Sequence, residues 1–330
     1  MRIVFFGTPD FAVPVLNALA ASGTPGWDVV MVVTPPDRPS GRGNSVQAPA
    51  VKVAAAAYGL QVYQPPTLRN DEAVTFLRAV HPDVGVLFSY AQLIPRSVLK
   101  LFPFGIVNVH PSLLPAYRGP SPIATAILDG VAETGVSLIK LVPRMDAGPI
   151  IAQERVAVPP DATTPTLTSI LSSIGARMVQ QALTPWVNGL LPATPQVEAA
   201  ATYCQLLTRE DGQVRWSEAA FQIERRIRAL QPWPGTFTTW NGKTLKILDA
   251  GVDDAPVQEP PGTVVRSYAP SAPGMRVATG QGVLVVRTLQ AAGGRAMEGE
   301  AFLRGQPSLA GSRLGTEDLT TLTAQDDAHS

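Results

Sequence analysis

Asn108 and His110 are the two residues whose types and spacing first point to chemistry. They end the apolar run Gly105–His110, which is typical of a buried β-strand. Side chains two residues apart in an extended chain point to the same side, so the amide and the imidazole lie together. Both can donate hydrogen bonds to an oxygen that gains negative charge, and the imidazole can exchange a proton near neutral pH. The pair predicts a functional site, against the alternative of a histidine that only caps the turn before Pro111.

The elements that must position this pair are short strand-like runs that alternate with helical stretches through the first half of the chain. These runs are Arg2–Phe6, Val29–Val33, Val84–Phe88, Gly105–Val109 and Val136–Leu141. The alternation predicts an α/β fold with a Rossmann-like, doubly wound parallel sheet. Ligands of such sheets bind beyond the carboxyl ends of the strands, where Asn108 and His110 fall. The first turn lacks the G-x-G-x-x-G spacing, which disfavours a dinucleotide ligand.

The second half of the chain has a different pattern. Residues 190–202 are rich in Pro, Ala and Thr without a helical or strand period, which predicts a linker between domains over 1–189 and 203–314. A helix is predicted over Ser217–Leu230. Five short strand-like runs follow it: Thr236–Trp240, Thr244–Leu248, Gly262–Tyr268, Met275–Ala278 and Gly282–Leu289. Their spacing predicts a small β-barrel that is OB-like, and the polar tail 315–330 is predicted to be disordered.

The composition excludes several classes of protein. The chain has 26 basic and 26 acidic residues, which disfavours a strongly basic nucleic-acid binder but allows a local basic patch. The single cysteine, Cys204, allows no intrachain disulfide and no cysteine-based zinc site, and three scattered histidines make a metal site unexpected. No apolar stretch approaches the roughly 20 residues of a membrane span, and the N-terminus lacks a signal peptide's apolar core. We expect a soluble, cytoplasmic protein that holds no metal.

The stretch that follows His110 resembles a known signature. Asn108-Val109-His110 with SLLPAYRGPSPI at 112–123 resembles the formyltransferases that use 10-formyltetrahydrofolate. The resemblance extends to FFGTPDFAVPVL at the N-terminus, PPDRPSGRG at 35–43, FSYAQLIP at 88–95 and ETGVSLIKLVPRMDAGPI at 133–150. With RWSEAA, IRALQPWPGT and GQPSLAGSRLG in the second half, the chain resembles those family members that act on methionyl-tRNA.

The resemblance implies a catalytic trio of Asn108, His110 and Asp146. The α-amine of initiator methionyl-tRNA would attack the formyl carbon, and Asn108 and His110 would hold the resulting oxyanion. Asp146 would orient the imidazole and stabilise its charge, or manage the water that removes the amine's proton. A carboxylate beside an imidazole favours its cationic, donating form. Taken without the resemblance, Asp146 is better interpreted as an ordinary turn acid in Met-Asp-Ala-Gly.

The resemblance also implies 10-formyltetrahydrofolate as the co-substrate. Its expected contacts form two sets: Ser112, Leu113, Leu114 and Pro115 in the turn after the trio's strand, and Phe88, Ser89 and Tyr90 at the end of another strand. The segment 142–147 is expected to line the pterin pocket, with Leu93 and Ile94 as apolar neighbours. Leu113 and Leu114 can equally be core residues.

A long polar loop at 34–49 is the candidate surface for tRNA. Its length and lack of a hydrophobic run indicate a functional or mobile segment. The resemblance implies that it reaches tRNA near the acceptor end, with Arg38 and Arg42 on phosphates or bases and Lys52 as a weaker contact. The loop continues Asn44-Ser45-Val46, where relatives often place lysines, so its electrostatic contribution is expected to be smaller.

Three further points stay open in the sequence. Arg225, Arg226 and Arg228 form either a solvated helix face, which is favoured, or a tRNA contact. A formyltransferase that acts on an amino sugar nucleotide is the nearest alternative, and a non-catalytic RNA-binding module is a more distant one. The family is usually monomeric, so a monomer is expected.

Overall fold

The computed structural model describes residues 1–21, 23–40, 45–266 and 273–315. The chain divides into two compact units. Unit 1 comprises Met1–Ile123, Val131–Pro159 and Thr166–Gln205, and unit 2 comprises Ala124–Gly130, Pro160–Pro165 and Leu206–Ser330. The predicted disorder of the tail concerns residues beyond Gly315, which lie outside the described part of the chain.

Unit 1 is built on a seven-stranded sheet. The strands in the described part of this unit are β1 (Arg2–Gly7), β2 (Asp28–Val33), β3 (Arg38–Ser40), β4 (Ser45–Gln47), β5 (Val62–Tyr63), β6 (Val84–Phe88), β7 (Ile106–His110), β8 (Glu133–Lys140) and β9 (Ile150–Ala157). The sheet order is β5-β2-β1-β6-β7-β8-β9, and β3 and β4 form a separate hairpin. All residues of β7 are buried, as expected for a strand covered on both faces.

The predicted fold class is confirmed, with a difference at one edge of the sheet. Strands β5, β2, β1, β6 and β7 are parallel, whereas β8 and β9 are antiparallel to their neighbours. The run Val136–Leu141 falls largely in β8 but does not continue the parallel order, because β8 and β9 add to the edge as a hairpin. An antiparallel edge on a parallel sheet is common. Strand β9 was not predicted, since it buries only part of one face.

The described part of the first half also contains six α-helices, two of which include residues of both units. They are α1 (Val13–Ala20), α2 (Ala50–Ala57), α3 (Asp71–Ala79), α4 (Arg96–Leu99), α5 (Pro122–Asp129) and α6 (Thr164–Val187). Helix α6 lies directly against β7, because a Cβ added at Gly175 would come within 2.7 Å of Cγ1 of Val109. The missing side chain lets the helix backbone support the strand that carries Asn108 and His110. In the described residues, no helix has the length and apolar character needed to cross a membrane.

The turn after β7 is fixed by the hydroxyl of Ser137. This residue lies on β8 and pairs with His110 of β7. This hydroxyl donates to the carbonyl of Ser112 (2.6 Å) and accepts from the backbone N–H of Leu114 (3.0 Å) and from Nε2 of Gln153 (2.8 Å). A serine hydroxyl has one hydrogen and two lone pairs, so all of its hydrogen-bonding positions are used. Ser137 thus holds the turn against the sheet.

The predicted linker 190–202 lies along unit 1. Ile150 and Thr194 exchange two backbone hydrogen bonds of 2.8 Å. Further along, Arg118 donates its backbone N–H to Thr202 (2.9 Å) and accepts from Cys204 (2.8 Å). We refer to residues 190–205 as the connecting segment. It has no helical or strand period, yet its backbone is held by unit 1.

Unit 2 is an OB-like antiparallel half-barrel. Its elements are α7 (Ala220–Ala229), β10 (Thr236–Trp240), β11 (Lys243–Asp253), β12 (Met275–Ala278), β13 (Val283–Ala291), β14 (Ala296–Glu298) and α8 (Gly299–Gly305). The order is β10-β11-β13-β12, with β14 also paired to β13. Asn241 and Gly242 turn between β10 and β11 with positive φ angles of 48° and 70°, as a tight hairpin requires.

Two predictions for unit 2 need correction. Over its described residues, the run Gly262–Tyr268 forms isolated bridges at Thr263 and Val264 rather than a strand, and Ser267 and Tyr268 lie outside the described part. The helix predicted from Ser217 begins at Ala220, because Ala219 is its N-cap and donates its N–H to Oε1 of Gln222 (3.0 Å).

Replacing Ser137 by alanine is expected to destabilise the protein by about 1–3 kcal/mol, because it leaves buried groups of Ser112, Leu114 and Gln153 without their partner. Urea unfolding measures this difference. The matched control is Ser173→Ala on an exposed turn of α6, where the hydroxyl bonds only the carbonyl of Ser169 (3.0 Å) and a change within about 0.5 kcal/mol is expected. Equal effects of the two substitutions would contradict the role given to Ser137.

Candidate active site

The carboxyl end of β7 presents Asn108 and His110 on one side of the sheet. Both are buried, with 6% and 4% of their surface exposed. The alternating residue Val109 faces helix α6 instead. Strand alternation therefore places the amide and the imidazole on one side of β7, as the sequence predicts.

Asp146, on the loop between β8 and β9, lies against this pair. Its Oδ1 accepts from Nδ2 of Asn108 (3.3 Å) and lies 3.7 Å from Nδ1 of His110. Its Oδ2 accepts from the backbone N–H of Gly119 (2.9 Å). The three residues of the predicted trio are thus in one place, although they are separated by up to 38 positions in the chain.

The hydrogen-bond partner of His110 determines which nitrogen carries a proton. Nε2 is 2.9 Å from the carbonyl oxygen of Tyr117. A carbonyl oxygen only accepts, so Nε2 donates. Nδ1 faces Asp146 beyond hydrogen-bond distance, which leaves it as the nitrogen that can exchange a proton.

The backbone around the site adopts unusual conformations. Ser89, Tyr117 and Asp146 have positive φ angles of 50°, 59° and 46°, which side chains other than glycine rarely adopt and which are often found at functional sites. Gly119 has a φ of 116°, and a Cβ there would come within 2.4 Å of the carbonyl oxygen of Cys204. Only glycine fits where its N–H reaches the carboxylate of Asp146.

A cavity of about 430 Å³ opens beside Asn108 and Asp146. The other residues that line it are Arg69, Leu87, Tyr90, Gln92, Leu93, Ile94, Pro95, Arg96, Leu141, Val142, Pro143 and Met145. Leu93 and Met145 are 70% and 56% exposed, so part of the lining is apolar surface that is open to solvent. The volume lies in the range of pockets that bind small organic ligands.

The hydroxyl of Tyr90 is buried at this cavity without a hydrogen-bond partner among the described residues. Burial raises the pKa of this hydroxyl well above its ordinary value, with a smaller contribution from the charge of Tyr63, so it stays a donor. A buried polar group without a partner calls for an explanation, and a ligand in the cavity supplies one.

The structure places only some of the predicted folate-binding residues at the cavity. Tyr90 lines the cavity, Phe88 is buried with its ring 5.3 Å from that of Phe11, and Ser89 is exposed. The turn formed by Ser112, Leu113, Leu114 and Pro115 is not part of the cavity lining. The hydroxyl of Ser112 donates to the carbonyl of Ala116 (2.6 Å), so it is already engaged within the turn.

Arg69 and Arg96 line the cavity and were not identified from the sequence. Both are exposed, and neither guanidinium is in a salt bridge with a carboxylate of the described residues. Each stands alone in the sequence as an ordinary surface arginine. Their proximity depends on the tertiary fold, and no spacing in the chain signals it.

Arg118 is fully buried beneath the connecting segment. Its guanidinium donates to Oε1 of Gln196 (2.8 and 3.0 Å), to Glu198 (3.1 and 3.2 Å) and to the hydroxyl of Tyr203 (3.1 Å). Arg144 also pairs with Glu198. These hydrogen bonds, first from Arg118 and then from Arg144, hold the pKa of Glu198 below its ordinary value. Sequence reasoning gave none of these residues a role.

The predicted tRNA contacts have different surroundings. Arg38 is exposed on β3, and Arg42 lies outside the described residues. Nζ of Lys52 is bound by both oxygens of Asp37 (2.7 and 2.9 Å). A hydrogen bond from Gln64, followed by one from Lys52, lowers the pKa of Asp37. The charge of Lys52 is therefore already paired.

The arginines of α7 have partners within unit 2. Arg226 pairs with Glu218 (2.9 Å), and Arg228 pairs with Glu224. Arg225 stacks over the ring of Phe221 at 5.2 Å. Whether they contact tRNA stays untested. Among the residues described, no group of three His, Cys, Asp or Glu side chains is arranged to hold a metal ion.

Two family models match the chain. The model described as "Formyl transferase" matches residues 1–183, and the one described as "Formyl transferase, C-terminal domain" matches residues 206–307. The fold and the arrangement of the site agree with these matches. The chain belongs to the formyl transferase family.

Curated relatives indicate which group within the formyl transferase family the chain resembles. The methionyl-tRNA formyltransferase of Roseiflexus castenholzii is 49% identical over 316 residues, which are 96% of this chain and 99% of that protein. The methionyl-tRNA formyltransferase of Chloroflexus aggregans is 45% identical over 305 residues, 92% of this chain and 97% of that protein. Within the family, the chain groups with the methionyl-tRNA formyltransferases.

A solved structure shares the fold. The N-formyltransferase from Helicobacter canadensis, in complex with folinic acid and dTDP-3-aminofucose, aligns with a TM-score of 0.60 at 16% identity. The alignment covers 87% of this chain and 99% of that one.

Glu198→Gln tests the environment of the buried Arg118 through pH. Because the pKa of Glu198 is lowered in the folded protein, its stabilising contribution is complete above the ordinary value of 4.5. That contribution is lost as the pH falls through the folded-state pKa. The free energy of unfolding of the wild type is therefore expected to exceed that of the variant near pH 7, and this difference should shrink below pH 4.5.

Urea unfolding at a series of pH values measures this difference. Arg118, Arg144 and Tyr203 are the charged or titratable groups that face Glu198 and are the same in both proteins. The matched control is Glu300→Gln, which breaks an exposed pair with Arg304 (3.1 Å) and should change stability little. A difference that stays constant down to pH 3 would contradict the prediction.

Proposed function

We propose that this protein transfers the formyl group of 10-formyltetrahydrofolate to the α-amine of initiator methionyl-tRNA. The product, formylmethionyl-tRNA, serves translation initiation and links one-carbon metabolism to protein synthesis. The observation that carries the proposal is the trio of Asn108, His110 and Asp146 beside a cavity, in a chain 49% identical to a methionyl-tRNA formyltransferase.

The trio acts on the tetrahedral intermediate. The amine attacks the formyl carbon, a C–N bond forms, and the carbonyl oxygen becomes an oxyanion. Nδ2 of Asn108 has two hydrogens, of which one donates to Asp146 and the other remains for this oxygen. Nδ1 of His110 supplies the second donor. Collapse of the intermediate breaks the bond to N10 of the folate. N10 takes up, by way of Asp146, the proton that the attacking amine has lost, and tetrahydrofolate leaves.

Asp146 balances the charges of this reaction. Its carboxylate stabilises the cationic imidazole of His110 while the oxyanion exists. It also receives, through a water molecule, the proton that the attacking amine must lose. The N–H of Gly119 keeps Oδ2 in place (2.9 Å) during these steps.

The cavity suits a folate donor. Its apolar wall, with Leu93, Ile94 and Met145, offers a surface for the flat ring system, and the hydroxyl of Tyr90 is a donor without a partner among the described residues. Arg69 and Arg96 carry charges that match the carboxylates of the glutamate group. The turn Ser112–Pro115 then contributes by supporting His110.

The tRNA would bind through the loop that contains Arg38 and Arg42, with Lys52 contributing less because Asp37 pairs with it. Phosphate contacts of this kind position a nucleic acid without reading its sequence. We also propose that the enzyme acts as a monomer in the cytoplasm, where its substrate is used.

Two competing functions are less well supported. The N-formyltransferase from Helicobacter canadensis, whose structure contains dTDP-3-aminofucose, is 16% identical to this chain, so that likeness supports a shared fold alone. A non-catalytic RNA-binding module would have no need for the buried Asn108, His110 and Asp146 arrangement. Formyl transfer from 10-formyltetrahydrofolate to initiator methionyl-tRNA, elongator methionyl-tRNA and a nucleotide-linked amino sugar, assayed side by side, tests the proposal. Preference for the amino sugar would overturn it.

Asn108→Ala and His110→Ala are expected to lower kcat for formylation of initiator methionyl-tRNA by about 100-fold or more, because each removes a donor to the oxyanion. The measurement is the initial rate at saturating substrates. Asn188→Ala, at an exposed position after α6, is the matched control and should retain the wild-type rate. A near-wild-type rate in either site variant would show that the assigned chemistry is wrong.

Arg69→Ala and Arg96→Ala are each expected to raise KM for 10-formyltetrahydrofolate about 10-fold, with kcat little changed, because a charge-assisted hydrogen bond is lost. Arg78→Ala on the exposed face of α3 should leave KM unchanged. With a donor that lacks the glutamate group, the site variants and the wild type should have the same KM. A loss that persists with this donor would contradict recognition of the carboxylates.

A further inference from the structure

Gln196, in the connecting segment, uses every hydrogen-bonding position of its side-chain amide. Nε2 donates to the carbonyls of Asp146 and Gly148, both at 2.7 Å. Oε1 accepts from Nε (3.0 Å) and Nη2 (2.8 Å) of Arg118. Because carbonyls only accept and a guanidinium only donates, the orientation of this amide is unique.

The two carbonyls that Gln196 binds belong to the loop that carries Asp146. Asp146 has a φ of 46°, a conformation that persists only where its surroundings hold it. Gly148 is buried, so its carbonyl needs a partner within the protein. Gln196 satisfies both carbonyls with one side chain and thereby fixes the backbone of the loop.

Arg118 is bound to Gln196, and its neighbour in the chain is bound to the carboxylate of Asp146. Its guanidinium, fully buried, holds Oε1 of Gln196, while the next residue, Gly119, donates its N–H to Oδ2 of Asp146 (2.9 Å). Asp146 is therefore held at its main chain by Gln196 and at its carboxylate by Gly119. The first contact depends on the side chain of Arg118, and the second is made by the residue next to it in the chain.

We propose that Gln196 is a positioning residue for formyl transfer, which sets the distance of the Asp146 carboxylate from Asn108 and His110. The inference rests on the proposed function of the trio. Gln196 does not line the cavity, so it acts through Asp146 and not on either substrate. The connecting segment is thereby part of the catalytic apparatus of unit 1.

Gln196→Glu distinguishes the contact of this side chain with the Asp146 loop from its contact with Arg118. The variant keeps an acceptor for Arg118 but loses both donations, and it sets a carboxylate oxygen against the two loop carbonyls. We expect kcat for formyl transfer to fall on the order of 10- to 100-fold, since small displacements of catalytic groups have effects of this size. KM for both substrates should stay within about 2-fold, because neither contacts Gln196. A role confined to anchoring Arg118 would leave kcat unchanged.

A double-mutant cycle with Asp146→Ala tests the route of the effect. If Gln196 acts through Asp146, adding Gln196→Glu to Asp146→Ala should lower kcat by less than about 2-fold further. The matched control is Gln180→Glu on α6, which loses a comparable bond to the carbonyl of Ala18 (3.1 Å) and should keep the wild-type kcat. If the Glu variant does not fold, Gln196→Met takes its place in the same cycle.

Two outcomes would overturn the inference and are distinguishable. A slow Asp146→Ala together with a fast Gln196→Glu, or equal losses from Gln196→Glu in both backgrounds, overturns the role of Gln196 alone. A fast Asp146→Ala overturns the proposed trio itself, and with it the positioning role.

Discussion

The buried guanidinium of Arg118 is the constraint on which the site depends. A charge without solvent must be met by hydrogen bonds and an opposite charge, and here the connecting segment supplies Gln196, Glu198 and Tyr203. Because these three residues lie on the connecting segment, satisfying the guanidinium also draws that segment along unit 1. Because the guanidinium needs the oxygen of the Gln196 amide as an acceptor, the nitrogen of that amide is directed towards the loop of Asp146. The position of Asp146, for which we propose a catalytic role, therefore depends on the hydrogen bonds that a buried cation requires.

The sheet provides the other half of the site. Strand β7 is held by α6 on one face and by β8 at its edge, and the pairing of His110 with Ser137 brings a hydroxyl to the turn that follows. The loop of Asp146 leaves β8 after Lys140, which pairs with Val107 near the start of β7, and within this loop Asp146 reaches Asn108 and His110. Strand β7 thus carries the amide and the imidazole, and the loop of the antiparallel hairpin carries the carboxylate beside them. Either arrangement alone would bring only part of the trio together.

The fold and the shared side of Asn108 and His110 can be predicted from the sequence because their signals are local. Strand alternation placed Asn108 and His110 on one side, and the resemblance to known formyltransferases added Asp146. The antiparallel hairpin was missed because the edge strand β9 has only weak burial to mark it. The sequence predicts Gln196 and Glu198 only as part of a linker. Their polar contacts span about 80 positions, and contacts at such a distance produce no periodic pattern in the sequence. The cavity is lined mainly by residues 87–96 and 141–146 and not by the turn 112–115, and no spacing in the chain indicates which of these segments the fold brings together around it.

The connecting segment also bears on how such a chain can be divided or recombined. Its composition changes near residue 190, yet the backbone remains bound to unit 1 until Gln205. A fragment that ends at residue 189 would retain all seven strands and helix α6 while exposing an uncompensated cation at its active site. A chimera that takes its C-terminal domain from a relative should therefore be joined after residue 205. The connecting segment then stays with unit 1, to which its hydrogen bonds attach it, although the change in composition suggests an earlier boundary.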